Sequence, residues 1–215
     1  MYFLTKELFF PPVEEADSHG LLAVGGDLSP ERLVLAYRNG IFPWFDDNDP
    51  ILWWSPAKRM VLFFDEIVIS KSMRNILNRG HFEVTFNKDF HGVISNCRKS
   101  VRKGQSGTWI TNEIVLAYCK LHELGFAQSV EVWQNGELVG GLYGIDLGHL
   151  FSGESMFSKV SNASKVAFIA LAETLQANNY QLLDCQLHND HLASLGCRDI
   201  PRADFIKILG FNEVL

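Results

Sequence analysis

Sulfur is sparse in this chain. Its 215 residues include four cysteines, at 97, 119, 185 and 197, and no two have Cys-x-x-Cys spacing. That spacing is what a zinc ribbon needs, so its absence argues against a zinc ribbon, and free thiols in a reducing compartment are expected. The opening MYFLTKELFF is apolar but broken by Lys6 and Glu7. It has neither a basic n-region nor a small-residue cleavage site, so no secretory signal is read there. No apolar run approaches membrane-spanning length. Repeats and low-complexity tracts are missing too, which argues against a solenoid. A cytoplasmic globular protein is the expectation.

Positive charge is also in short supply, with 19 Lys and Arg against 25 Asp and Glu and a formal net charge of −6. A uniformly basic, nucleic-acid-coating protein is excluded. The distribution is uneven, however. Residues 1–62 carry five basic and nine acidic groups, residues 63–110 eight basic and four acidic, and residues 111–215 six basic and twelve acidic. A basic middle between acidic flanks can build one local positive face.

What is plentiful is apolar material, 47% of the chain, with 12% aromatic and five Trp. That supports a sizeable core and either one domain or two small ones. Residues 1–62 are rich in Pro, Gly and aromatics. They hold one clear helix, with Ser29 as cap, Pro30 at the first position and Gly40 as stop. Beyond them, LFFDEIVI (62–69) alternates like a strand. SKSMRNILNRG and DFHGVISNCRKS read as short helices flanking the strand FEVTFN. TNEIVLAYCKLHELG is the clearest helix, capped by Thr111 and stopped by Gly125. SVEVWQ and ELVGGLYGI flank Asn135-Gly136, the strongest short hairpin signal. HLFSGESMF is a third strand, NASKVAFIALAETLQANN a long helix, QLLDCQL a strand and PRADFIKILG a closing helix.

Hairpin, strand, long helix, strand is the order of a mixed sheet with a crossover helix. The acyl-CoA N-acetyltransferase-like fold has this arrangement. The expected fold class is therefore α+β: a small N-terminal α+β domain (1–62), then an acetyltransferase-like mixed sheet with flanking helices (63–215). The turn GESMFSKVSNASK lacks the Gln-x-x-Gly-x-Gly/Ala pattern that cradles a CoA pyrophosphate, which argues against an acyl-CoA cofactor.

Four stretches carry candidate chemistry. In LLDCQLHNDH (182–191), strand periodicity puts Asp184 and Gln186 on one face and Leu183 and Cys185 on the other. Asp can hold a Gln amide in one orientation, with its carbonyl aimed at an amine or water. Spacing alone favours an ordinary strand end that satisfies loop backbone. Asp184, Cys185, His188 and His191 match no common metal-ligand spacing, so no metal is expected. In LFSGESMFS, Glu154 interrupts an apolar strand, and Met156 and Phe157 are either core or pocket wall. Arg98, Lys99, Arg102 and Lys103 lead into Gly104, Gly107 and Trp109. They are either a solvated helix end or a phosphate-binding patch. In FPWFDDNDPILWWSP, Trp44, Trp53 and Trp54 are either a small aromatic core or a stacking surface.

Taken together, GLLAVGGDLSPERLVLAYRNGIFPW, ILWWSP, GTWIT, LHELG, SVEVW, LVGGLYGI, FSGESMFS, NASK, DCQ, HLASLG and IPR resemble the leucyl/phenylalanyl-tRNA–protein transferase family, over nearly the whole chain and in the expected order. The resemblance implies an enzyme that moves Leu or Phe, sometimes Met, from aminoacyl-tRNA to proteins with N-terminal Arg or Lys, marking them for N-end rule degradation. It implies no cofactor, no metal and no membrane, and a monomer is expected. By the same resemblance Asp184 and Gln186 form the catalytic pair. Trp44 and Trp109 hold the terminal adenosine. Leu142, Glu154 and Met156 line the aminoacyl pocket, and Arg98, Lys99, Arg102 and Lys103 meet tRNA phosphates. Leu142 stands where some relatives carry Met, which leaves the order of preference among Leu, Phe and Met open. Two other functions compete: an acyl-CoA-dependent N-acetyltransferase and a non-catalytic tRNA-binding module.

Overall fold

The computed structural model describes residues 1–100 and 108–210. The strands β1 (Tyr2–Leu4) and β2 (Leu21–Gly25) are followed by helix α1 (Pro30–Arg38) and strands β3 (Phe42–Pro43) and β4 (Leu52–Trp54). These four strands make a small sheet in the order β1-β2-β4-β3. α1 begins as the residues dictate: the Ser29 side chain accepts from the Arg32 N–H, and Pro30 needs no partner for a donor it lacks.

A seven-stranded sheet follows. It begins with β5 (Lys58–Leu62), which lies ahead of the expected change of domain at residue 62. The strand expected over 62–69 does not form. Phe64–Glu66 is a single 3-10 turn, and Ile67 and Ile69 pack against the core without entering a ladder. The alternation in LFFDEIVI reflects which side chains are covered. The backbone pairing belongs to the preceding KRMVL, which lies between the strands Leu182–Gln186 and Arg198–Pro201.

Next come α2 (Lys71–Asn78), β6 (Glu83–Phe86), α3 (Phe90–Lys99) and α4 (Asn112–Glu123), capped by Ser70, Asp89 and Thr111. β7 (Ala127–Gln134) and β8 (Glu137–Asp146) form a long antiparallel hairpin. Its turn residues Asn135 and Gly136 both have positive φ, 53° and 80°, the geometry that matches strand twist. β9 (Leu150–Ser158) continues antiparallel, and α5 (Ala163–Ala177) crosses over to β10 (Leu182–Gln186), which lies parallel to β9. The short α6 (Asp190–Ala193), β11 (Arg198–Pro201) and α7 (Arg202–Leu209) close the chain. The sheet order is β11-β5-β10-β9-β8-β7-β6, the mixed sheet with a crossover helix that the element order predicts.

Side chains alternate across this sheet. Val130, Val132 and Leu142 join the core beneath α5, whereas Tyr143 and Ile145 join the core beneath α3 and α4. α5 sits tight on β8 because residue 140 is glycine: a Cβ there would lie 2.5 Å from the Ala163 Cβ. The second core is continuous with the small sheet, since Leu22, Leu33, Tyr37 and Trp53 belong to the same cluster as Val93, Ile114 and Tyr118. The N-terminal residues therefore pack on the side of the large sheet that α3 and α4 cover.

Candidate active site

The parallel ladder between β9 and β10 is short. It pairs Leu182 with Leu150, Leu183 with Phe151 and Asp184 with Ser152, and there it ends. β9 runs on to Ser158 without β10 beside it. The strands part, and the gap is a cavity of about 580 Å³. Leu142, Met156, Phe168, Leu171 and Leu183 form its apolar wall, and Glu154 and Gln186 stand at its polar end. A space of this size and lining accepts an aliphatic or aromatic side chain.

A second cavity, about 200 Å³, adjoins the first and shares Glu154, Cys185, Gln186 and Leu187 with it. Trp44 and Trp109 meet here, with Phe42 and Pro43. The three tryptophans near residue 50 thus separate into roles. Trp53 is fully buried and donates its ring N–H to the Gly25 carbonyl at 2.9 Å. Trp54 donates to the Trp44 carbonyl at 2.6 Å and tilts against its ring, 5.6 Å between centroids. Trp44 is 37% exposed, an aromatic face held out from the fold, while Trp109 is 9% exposed and half core, half cavity wall.

Behind the cavities lies a polar network that starts at a buried ion pair. Asp184 is fully buried and Arg59, from β5, is 2% exposed. Arg59 grips Asp184 in a fork, Nε to Oδ1 and Nη2 to Oδ2, both 2.7 Å. The guanidinium is itself clamped between the rings of Phe42 and Phe205, at 4.8 and 4.6 Å from their centroids, and donates to the Gly40 carbonyl at 3.2 Å. Asp184 also accepts from the Ser152 hydroxyl at 2.8 Å and the Gln186 backbone N–H at 2.9 Å. Four donors saturate this carboxylate, so it has no direct bond to the Gln186 amide.

The link to that amide is Ser152. Its hydroxyl donates to Asp184, which leaves its oxygen to accept from Gln186 Nε2 at 3.1 Å. The other Nε2 hydrogen goes to Glu154 Oε1 at 2.9 Å. With both amide hydrogens committed, the Gln186 carbonyl oxygen is what remains for a substrate. The two-face reading of β10 holds through Cys185, which packs with Leu183 and Cys197. At Gln186 the ladder with β5 shifts register and the backbone takes φ +56°. A non-glycine residue in the left-handed region carries local strain, and such strain gathers at functional sites.

Glu154 has a second anchor. Tyr118, from α4, donates to its Oε2 at 3.2 Å, and the Tyr37 hydroxyl of α1 bonds Tyr118 in turn. Because the Tyr118 proton is given to Glu154, Tyr37 is the donor to Tyr118. Burial pushes the Glu154 carboxyl up to about 7; the Tyr37 and Tyr118 hydroxyls oppose this, the Asp184 charge adds to it, and Arg59 counters it. Burial, with the Glu154 charge next, raises both tyrosines well above the ordinary phenol range, so they remain donors near neutrality.

The remaining candidates take lesser places. Arg98 and Lys99 lie at the end of α3 and line a separate surface cleft with His91, Ser95 and Asn112. Arg102 and Lys103 lie outside the described residues. His188 is exposed and pairs with Asp190 and Asp199, at 3.4 and 3.3 Å. His191 rims the large cavity, its pKa lowered by burial and then by Lys165. Among the described residues no group of three His, Cys, Asp or Glu is arranged to hold a metal ion. The Cys185 and Cys197 sulfurs lie 3.8 Å apart as free thiols, and the Cys197 thiol and burial hold Cys185 well above the ordinary thiol range.

Sequence reasoning missed Arg59, Ser152, Tyr37 and Tyr118. Two had a usable signal. Arg59 is a cation opening the apolar run RMVL, and Ser152 precedes Glu154 by two residues in a strand, hence on its face.

The family model for leucyl/phenylalanyl-tRNA protein transferase matches residues 61–210, and the model for that protein's N-terminal domain matches residues 26–57. A leucyl/phenylalanyl-tRNA–protein transferase of Flavobacterium johnsoniae is 68% identical over 209 residues, covering 97% of this chain and 99% of the relative. Those of Flavobacterium psychrophilum and Nitrosospira multiformis are 65% and 53% identical over 209 residues each; the alignments cover 97% and 96% of this chain and 99% and 90% of the relatives. Among solved structures, a GCN5-related N-acetyltransferase from Kribbella flavida matches 79% of this chain and 59% of its own at 10% identity, with a TM-score of 0.38, too distant to bear on function.

Proposed function

The chain belongs to the leucyl/phenylalanyl-tRNA–protein transferase family and is an aminoacyltransferase, and from that premise we propose how its residues divide the work. The aminoacyl side chain enters the apolar cavity walled by Leu142, Met156 and Phe168. The terminal adenosine lies in the adjoining cavity, against Trp44 and Trp109. The ester that joins them then falls at the shared residues Glu154 and Gln186. The meeting of the two cavities at those side chains is the observation that carries this reading.

The chemistry asks little. An aminoacyl ester is already activated, so forming a peptide bond needs neither ATP nor a metal. The attacking α-amine has an ordinary pKa of about 7.7–8.0 and loses a proton readily near neutrality. The protein has to hold amine and ester together and direct the proton. Asp184, fixed by Arg59, orients Gln186 through Ser152, and the free Gln186 carbonyl meets the amine. Of the two acids, Asp184 is spent on Arg59, and Glu154 is the one that faces both cavities. The acceptor, a protein with N-terminal Arg or Lys, brings its α-amine to the junction where Gln186 and Glu154 stand, and the product is marked for N-end rule degradation. Arg98 and Lys99, with Arg102 and Lys103 beyond the described residues, meet tRNA phosphates. The protein works as a cytoplasmic monomer.

The test mixes the protein with radiolabelled Phe-tRNA and a peptide beginning with Arg, without ATP or CoA. Label in the peptide is expected. Binding of tRNA with no transfer, or transfer only from acetyl-CoA, overturns the reading. Affinity for tRNA falls with rising salt, and neutralising Arg98, Lys99, Arg102 and Lys103 together flattens that slope; a salt-insensitive Kd removes the phosphate assignment.

A further inference from the structure

We propose that Glu154 is the proton acceptor for the attacking α-amine, with Tyr118 and Tyr37 as the positioning residues that hold it for that step. This rests on the transfer reading above and deepens it.

Gln186 can receive a hydrogen bond from the amine, but a neutral carboxamide is a weak base and cannot keep the proton. A group beside it must take the proton as the carbon–nitrogen bond forms. Glu154 shares a hydrogen bond with the Gln186 amide at 2.9 Å and lines both cavities at their junction. A substrate held by the Gln186 carbonyl is therefore within reach of the Glu154 carboxylate.

The surroundings separate this acid from a structural one. Glu131 is also buried, but four donors consume it: the hydroxyls of Thr85 and Ser129 and the N–H groups of Lys88 and Asp89. Glu131 lines neither of the two cavities. Glu154 has one donor on each oxygen and faces open space. Its titratable and charged neighbours are Tyr37 of α1, Tyr118 of α4, Arg59 of β5, Tyr143 of β8, and Asp184 and Cys185 of β10. Tyr37 and Tyr118 keep their protons near neutrality, Cys185 is held as a thiol, and Asp184 is locked to Arg59. His188 and His191 line the larger cavity only; of the two titratable residues that line both cavities, Glu154 and Cys185, Glu154 is the one that titrates near neutral pH, at about 7.

The step balances as follows. The neutral amine nitrogen bonds to the ester carbonyl carbon, and a Glu154 oxygen takes the proton that nitrogen sheds. The tetrahedral centre collapses, the bond from carbon to the ribose oxygen breaks, and the ribose oxygen receives the proton from Glu154. Glu154 ends as it began, and no proton is consumed.

The experiment is single-turnover transfer from Phe-tRNA to an Arg-peptide at saturating acceptor, between about pH 5.5 and 9, where both groups titrate. Wild type is compared with Glu154→Gln and Tyr118→Phe. In wild type the rate rises through two limbs, one from Glu154 and one from the amine. Glu154→Gln lowers the rate by about 10²–10⁴-fold and leaves only the amine's limb. Tyr118→Phe removes a hydrogen bond that favours the charged carboxylate, so the Glu154 limb moves to higher pH. A Glu154→Gln rate within about tenfold of wild type at saturation, or a loss confined to KM, overturns the assignment. Should Glu154→Gln fail to fold, wild type and Tyr118→Phe decide, and the same limb at the same pH in both overturns it. Failure of the wild-type protein to transfer at all overturns the transferase reading itself, a separate outcome.

Discussion

Arg59→Met tests the foundation of the site. The substitution leaves a flexible apolar side chain between Phe42 and Phe205, so the packing space is largely filled. It removes the two 2.7 Å bonds that hold Asp184. Asp184 is fully buried, and its remaining donors are one hydroxyl and one backbone N–H. Stranding a buried carboxylate in this way costs about 3–5 kcal/mol. Against a total of about 5–15 kcal/mol that is a severe loss. For a chain of this length it lowers Tm by roughly 6–20 °C. Urea unfolding and thermal melts measure it directly. Adding Asp184→Asn removes the stranded charge, so the double variant recovers about half of the loss or more. The double variant still transfers slowly, because no anion stands behind Ser152. A cost under about 1 kcal/mol for Arg59→Met, or no recovery in the double variant, refutes the view that this pair is a desolvated, mutually dependent unit.

Three further outcomes are expected. Ser152→Ala cuts the link between Asp184 and Gln186; it costs about 1–2 kcal/mol in urea unfolding and lowers single-turnover transfer by up to about 100-fold, through a misplaced amide. Trp44→Ala costs less stability in urea unfolding than Trp109→Ala does, because its ring is 37% exposed and packs against Trp54, and weakens aminoacyl-tRNA binding by about 1–3 kcal/mol of lost stacking; Trp109→Ala, from a buried site, also destabilises by about 3–5 kcal/mol in urea unfolding. For the raised Glu154 carboxyl the folded state binds its proton more tightly than the unfolded chain does. Its contribution to stability is therefore full below about 4.5 and lost as pH rises to about 7. Unfolding in urea at pH 5 and pH 8 checks this: Glu154→Gln gains on wild type at the higher pH and shows no such slope.

Much of the fold was legible because its signals are local. Ser29, Ser70 and Thr111 start helices through bonds to N–H groups three residues ahead, and Asn135-Gly136 turns a hairpin through its own backbone angles. The failure at 62–69 is instructive. Alternation records burial, but which residues enter a ladder depends on the strands beside them, and KRMVL had β10 and β11 to pair with. The tryptophans show the same limit. Composition places Trp44, Trp53 and Trp54 in one loop, and only packing makes Trp53 core and Trp44 a presented face.

The sequence by itself determined the element order, the basic middle segment, the place of Asp184 and Gln186 two residues apart at the end of one strand and, by resemblance, the family. Each of these is a matter of neighbours along the chain or of residue types in a fixed order. Tertiary structure alone decided that Asp184 meets Arg59 across 125 positions, that Ser152 carries its influence to Gln186, and that Glu154 is tied to Tyr118 and Tyr37. Those contacts follow from sheet register and from where the β9–β10 ladder ends. The physical reason is that a side chain's charge and reach are local, but its solvation and its partners belong to the folded whole.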